Sequence, residues 1–185
     1  GLFVALPSGG ALIPLPESTA RVQVIHNSPD ALASAVDVYL NDALLIDDFA
    51  FRTASPFIDA PAAVDFTVGI APANSTSSAD AIATFDYNLA ANETYIIVAS
   101  GIVNAAGYNP APAFNLEVFA GAREVSSTNG NTDVLVYHGS TDAPAVDVVE
   151  TLVTGGATIV DNAFYSDFAG YLELATLDYR LAVKD

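Results

Sequence analysis

The chain has 185 residues, 52% of them apolar and only 15% charged, so it is no disordered polyelectrolyte and can bury a core. Five basic residues against 22 acidic ones leave a formal charge of −17, which excludes nucleic acid and anionic membranes as partners, since both are held by Lys and Arg. Cysteine is absent, which removes disulfides and thiolate metal sites.

In chain order, the first segment is GLFVALPSGGALIPLP (Gly1 to Pro16), uncharged but broken by Pro7, Pro14, Pro16 and the Gly9-Gly10 pair. The other uncharged run, TYIIVASGIVNAAGYNPAPAFNL (Thr94 to Leu116), is interrupted by Asn104, Asn109, Pro110 and Pro112. A spanning helix wants about 20 apolar residues with few breakers, so both runs read as strands with turns and no membrane insertion is expected. Strands are predicted at Arg21 to His26, Ala35 to Leu40, Ala43 to Ile46, Val64 to Ile70, Ala81 to Tyr87 and Tyr95 to Ser100. Further strands are predicted at Phe114 to Phe119, Asp133 to His138, Ala145 to Val149, Thr158 to Val160 and Leu177 to Val183. In VDFTVGI, Val64, Phe66, Val68 and Ile70 fall on one side, the period-two mark of a half-buried strand. Helical periodicity is weak, with Asp80 to Thr84 the one tempting stretch. Many short strands between turn signals about every 8–12 residues predict an all-β sandwich.

The sequence also repeats itself. HNSPDALASAVDVYL starts at His26 and returns, 112 residues on, as HGSTDAPAVDVVE from His138. Upstream, ARVQVIH (Ala20 to His26) matches TDVLVYH (Thr132 to His138). Downstream, DDFAF (Asp47 to Phe51) matches DNAFY (Asp161 to Tyr165), PFID (Pro56 to Asp59) matches GYLE (Gly170 to Glu173), and DFTV (Asp65 to Val68) matches DYRL (Asp178 to Leu181). The expected organisation is a pair of tandem immunoglobulin-like β-sandwich domains. Residues 1–18 form an N-terminal extension, 19–131 a complete repeat and 132–185 a partial second one, lacking counterparts of three strands of the first. A sandwich so truncated leaves a core face and backbone edges open. At the same offset, Leu2, Val4 and Leu6 fall on Phe114, Leu116 and Val118, and Gly9 falls on Gly121. Leu2, Phe3, Val4, Ala5 and Leu6 are therefore candidate donor-strand residues that add an edge to the unfinished sandwich of another copy, a head-to-tail contact that need not close. The competing expectation is a piece of a longer tandem array; one donated strand does not by itself replace three.

HNSPDALASAVDVYLNDALL and HGSTDAPAVDVVETL resemble a family of bacterial secreted and surface-protein repeats catalogued as a domain of unknown function, with a His-x-Ser-Pro-Asp-Ala-Pro-x-Val-Asp-Val signature. The match runs through His26, Ser28, Pro29, Asp30, Val36, Asp37 and Val38, and again through His138, Ser140, Asp142, Ala143, Pro144, Val146, Asp147 and Val148. The first copy departs by inserting Leu32 to Ser34, the second by carrying Thr141 in place of Pro. The resemblance implies an exported β-sandwich, often in tandem, and no known activity.

The strongest candidates for chemistry are His26 with Asp30 and Asp37, and His138 with Asp142 and Asp147. A histidine beside carboxylates suits a general base or a metal ligand, yet each copy offers a single His, and an Asp in such a turn caps it; the signature reads as structural. Acidic pairs, Asp47 with Asp48 and Asp59 with Asp65, suit calcium, but no calcium-loop pattern is present and no metal site is expected. Phe49, Phe51, Phe57 and Phe66 read as core, and Tyr108 as part of a proline-rich turn, with display to a sugar as the alternative. Asn74 in NST and Asn92 in NET are candidate glycosylation sites. Nucleotide, zinc-protease and hydrolase motifs are all missing, so neither an enzyme nor a cofactor is expected. With no methionine, the chain is expected to be processed, as by loss of an export signal, or to be a piece of something longer. The expectation is an extracellular or cell-surface, pilus-like fibre subunit whose partners are copies of itself; the alternative is an adhesion module for glycans or calcium within a longer array.

Overall fold

Apolar side chains at alternate positions make strands wherever a second layer covers one face. A computed structural model describes residues 3–4, 13–14 and 18–185, the first two pairs as backbone alone. The strands are β1 (Phe3–Val4), β2 (Ile13–Pro14), β3 (Thr19–His26), β4 (Ala35–Leu40), β5 (Ala43–Ala50), β6 (Ile58–Pro61), β7 (Asp65–Pro72), β8 (Ala83–Asn88), β9 (Thr94–Ser100) and β10 (Asn115–Ala120). They continue as β11 (Asn131–Tyr137), β12 (Val146–Glu150), β13 (Ala157–Ala163), β14 (Phe168–Ala175) and β15 (Leu181–Lys184). Single 3₁₀ turns lie at Ala31–Ala33 and Ser78–Asp80, the second just before the stretch with a weak helical pattern. The chain is all-β, and among the described residues no helix is long and apolar enough to cross a membrane.

Strands β3 to β10 form a β-sandwich. One sheet has the order β10-β9-β3-β6, the other β5-β4-β7-β8. Their facing sides bury Val22, Val36, Val38, Phe66, Ile70 and Ile97. Val64, expected on that inner side, precedes β7 and is exposed. The middle of TYIIVAS, Ile96 to Ala99, is apolar without alternation because β9 is covered on both faces. Tyr95, Ile97 and Ala99 turn into this core, while Ile96 and Val98 turn outward against Leu135, Tyr137 and Phe168. The covering layer is a two-stranded sheet, β11-β14, and beyond it lies the sheet β13-β12-β15. Val136 and Leu172 face that last sheet and pack on Val148, Val160 and Ala163.

The strand pairing itself is duplicated. Val36↔Phe49 and Val38↔Ile46 in β4–β5 return as Val146↔Ala163 and Val148↔Val160 in β12–β13, with register shifts at the same places. Arg21↔Asp59 in β3–β6 returns as Asp133↔Glu173 in β11–β14, and Val38↔Ile70 in β4–β7 returns as Val148↔Val183 in β12–β15. Left-handed residues coincide too: Asp48 (φ 51°) with Asn162 (φ 50°), and Arg52 (φ 65°) with Ser166 (φ 71°). Strands β8, β9 and β10 have no counterpart in the second set among the described residues. Among the described residues β11 pairs with β14 alone and β15 with β12 alone, whereas β3 and β7 each pair on both sides.

Two strands escaped the sequence pattern, β6 and β14. IDAP is short and carries a proline, and FAGYLELA carries a glycine; both are read only through pairing, with β3 and β11. The strand expected from Leu177 begins only at Leu181, because the backbone N–H and C=O of Arg180 bond to the Glu150 carboxylate and to Thr151.

Candidate functional site

The first signature copy is a buried brace between loops. His26 is 1% exposed at the end of β3. Its Nε2–H donates to the Ala33 carbonyl (2.7 Å) and its Nδ1 accepts from the Ser28 N–H (3.3 Å), an arrangement that holds a neutral ring. Phe49 and Phe51 flank the imidazole at 5.7 and 6.1 Å between centroids. Burial pushes its pKa below the usual value, against the bond to Ala33. Ser28 Oγ donates to the Gly101 carbonyl (2.7 Å). Asp30 caps the first 3₁₀ turn by accepting from Leu32 N–H, and its other oxygen accepts from Val103 and Asn104 N–H, both at 2.8 Å. Burial raises its pKa, but the bonds from Asn104, Leu32 and Val103 outweigh that and hold the carboxyl below the usual range. Thus His26, Ser28 and Asp30 tie β3 to the loop that follows β9. Asp37 lies elsewhere, on β4, where it accepts from the Asp48 N–H (3.0 Å) and from Ser75 Oγ, and so supports the left-handed residue of β5.

The second copy repeats half of this brace. His138 donates through Nε2 to the Pro144 carbonyl (3.0 Å), and Asp147 accepts from the Asn162 N–H (2.8 Å) as Asp37 does from Asp48. Ser140 and Asp142, however, are exposed and bond to each other (2.9 Å). The partners that Ser28 and Asp30 engage belong to the β9–β10 connection, which has no counterpart there.

That gap opens a groove. A cavity of about 450 Å³ is lined by Val136, Val146, Val148, Ala163 and Val183 together with His138, Ser140 and Asp142, and on its other side by Asn27, Pro29, Phe51 and Arg52 of the first set of strands. The interior of the first sandwich encloses about 50 Å³. Ile70, 2% exposed, and Val183, 69% exposed, hold the same register position in the two sets; Ile70 packs in the core between the two sheets of the first sandwich.

The remaining candidates are dispersed. Asp59 is ion-paired to Arg21 (3.1 Å) and Asp65 accepts from Asn88 (2.7 Å). Oxygens of Asp37, Asp47 and Asp48 lie within 4.8 Å of one another, but both Asp37 oxygens are already hydrogen-bonded within the fold. Tyr108 accepts from the Ala31 N–H (3.0 Å), closing the post-β9 loop onto the signature loop. Phe49 and Phe66 are core, and Phe57 joins the cluster between β9 and β14. Asn74 and Asn92 are both exposed in turns, Asn92 at φ 64°. Of the donor residues, the backbones of Phe3 and Val4 pair antiparallel with Pro14 and Ile13, while Leu2, Ala5 and Leu6 lie outside the described residues.

Sequence reasoning missed Glu150, aligned with Leu40 of the first copy yet 2% exposed. Its carboxylate accepts from the N–H groups of Leu152, Val153, Thr154 and Arg180, pinning the β12–β13 loop and the approach to β15. The signal was the following TLVTGGAT, a glycine-rich turn able to aim consecutive N–H groups at one anion. Burial raises its pKa, but the bonds from Thr154, Leu152 and Arg180 dominate and hold it at about 2. A depressed folded-state pKa stabilises above the unfolded value of 4.5, and that support is lost as pH falls from 4.5 toward about 2. Hydrogen exchange of the Leu152 to Thr154 amides is therefore expected to accelerate across that window, corrected for intrinsic rates, and Glu150→Gln to abolish the pH dependence.

A family model described as a domain of unknown function, DUF4397, matches residues 20–149. No curated protein and no solved structure matches the chain.

Proposed function

The chain belongs to the DUF4397 family of domains of unknown function, and from that premise we propose that it is a structural subunit of an extracellular filament, assembled head to tail by strand donation between copies. The observation that carries this reading is the open groove of the second set of strands, which shares its register with a closed sandwich in the same molecule. An apolar groove bordered by unpaired backbone groups is stabilised by an incoming strand, whose N–H and C=O groups complete the sheet and whose side chains fill the gap. The donor is Gly1 to Pro16 of another copy, apolar and uncharged. The negative charge of −17 keeps free subunits soluble and apart until that specific contact forms. No catalytic role is assigned: the two histidines each hydrogen-bond to a backbone carbonyl within their own loops.

Deleting Gly1 to Pro16 is expected to give soluble subunits that no longer polymerise, seen as single particles by negative-stain microscopy under conditions where the intact chain forms filaments. Filaments of normal length from the deleted chain would overturn strand donation by this segment.

A further inference from the structure

We infer that Ser140 and Asp142 are the receiving groups for the donor segment between β1 and β2, and that β1 enters parallel to β11, in the position β9 occupies beside β3. This rests on the strand-donation reading and narrows it, because the earlier alignment placed the same residues over β10.

In the first sandwich, β9 runs parallel to β3 with Ala99 opposite His26. Immediately beyond it, the Gly101 carbonyl accepts from Ser28, and the Val103 and Asn104 N–H groups donate to Asp30. Ser28 is 0% exposed and Asp30 2%. Ser140 and Asp142 stand at the matching places beside His138, exposed, lining the cavity, and among the described residues their side chains bond to each other. The signature is thus a half-site: a hydroxyl that seeks a carbonyl, and a carboxylate that seeks successive backbone N–H groups.

The N-terminal segment carries the other half. With Ala5 set opposite His138, as Ala99 is opposite His26, Pro7 takes the place of Gly101, and Gly9 and Gly10 take those of Val103 and Asn104. Proline offers the carbonyl that Ser140 requires without needing its own N–H, and a Gly-Gly pair brings two N–H groups close to a carboxylate with no Cβ in the way. In that register LFVA (Leu2 to Ala5), apolar at each position and free of proline, lies over the IIVA (Ile96 to Ala99) of β9. In β2, Pro14 would fall in the place of β10, an edge strand in the first sandwich that tolerates a residue without an N–H.

The test uses the full chain with Asp142→Asn and Ser140→Ala, reading the critical concentration for assembly by sedimentation and the melting temperature of subunits below it. Losing a charged acceptor for two N–H donors is expected to raise the critical concentration about tenfold for Asp142→Asn, with the subunit's melting temperature unchanged. Asp30→Asn, at the occupied counterpart, instead lowers the melting temperature. Assembly of Asp142→Asn and Ser140→Ala at the wild-type critical concentration would overturn the half-site while leaving strand donation standing. Assembly by the chain lacking Gly1 to Pro16 would remove both.

Discussion

Val183→Asp is expected to abolish assembly while leaving the isolated subunit folded, whereas Ile70→Asp, the same position of the duplicated register, unfolds it. Val183 is 69% exposed and faces the groove, so a carboxylate there remains hydrated in the free subunit. Substitutions at such sites change stability by about 0.5 kcal/mol, a shift of roughly 1–2 °C in a chain of this size. A donor strand would have to strip water from that charge and bury it unpaired, a penalty of several kcal/mol, or roughly a thousandfold in association. Ile70 is 2% exposed beneath both sheets of the closed sandwich. Burying an unpaired carboxylate there, on top of losing an aliphatic side chain, costs on the order of 5 kcal/mol, comparable to the whole stability of a small domain. The checks are thermal melts of dilute subunits and sedimentation of concentrated ones. Normal filaments from Val183→Asp would show that the groove receives nothing.

The second large effect is at His26. Replacing it by alanine removes the bonds to Ala33 and Ser28, leaves those groups unpaired inside the protein, and empties the space between Phe49 and Phe51. The expected loss is about 3–5 kcal/mol, on the order of 10 °C in melting temperature. His138→Ala breaks the bond to the Pro144 carbonyl beside an open cavity and is expected to cost about 1 kcal/mol. The pH profile separates the two further. Because burial keeps the folded pKa of His26 below 6.5, the unfolded chain binds its proton first as the solution is acidified. His26 therefore stabilises fully above about pH 6.5, and its contribution falls as pH drops from there to its own lower pKa. Thermal melts of His26→Ala are expected to show a flatter profile than wild type across that interval. A parallel profile would mean that the imidazole titrates normally and is not sealed as its contacts require.

Seen with the structure, these pairs of residues also tell what was readable in advance. Phe66, Val68 and Ile70 announced β7 by alternation alone, and the recurrence of HNSPD and HGSTD announced duplicated strands, since both signals are local in sequence. The turn of the first signature was legible in kind, because Asp30 accepts from the N–H of Leu32, two residues on in its own turn, a bond local in sequence. β6 and β14 were not legible, being held by β3 and β11 rather than by their own residues. Nor was Glu150, whose burial depends on N–H donors gathered from Leu152 to Thr154 and from Arg180.

The sequence by itself determined the all-β class of fold, the acidic composition and the recurrence of the signature, because composition, period and repetition are properties of the chain before it folds. Only the tertiary structure decided that the outer face of β9 is sealed by β11 and β14, that Asp30 is satisfied while its twin Asp142 waits at a groove, and that Ile70 is covered where Val183 is bare. Those differences arise from which strands lie alongside, and corresponding positions of the two copies meet different neighbours once strands distant in sequence are brought together.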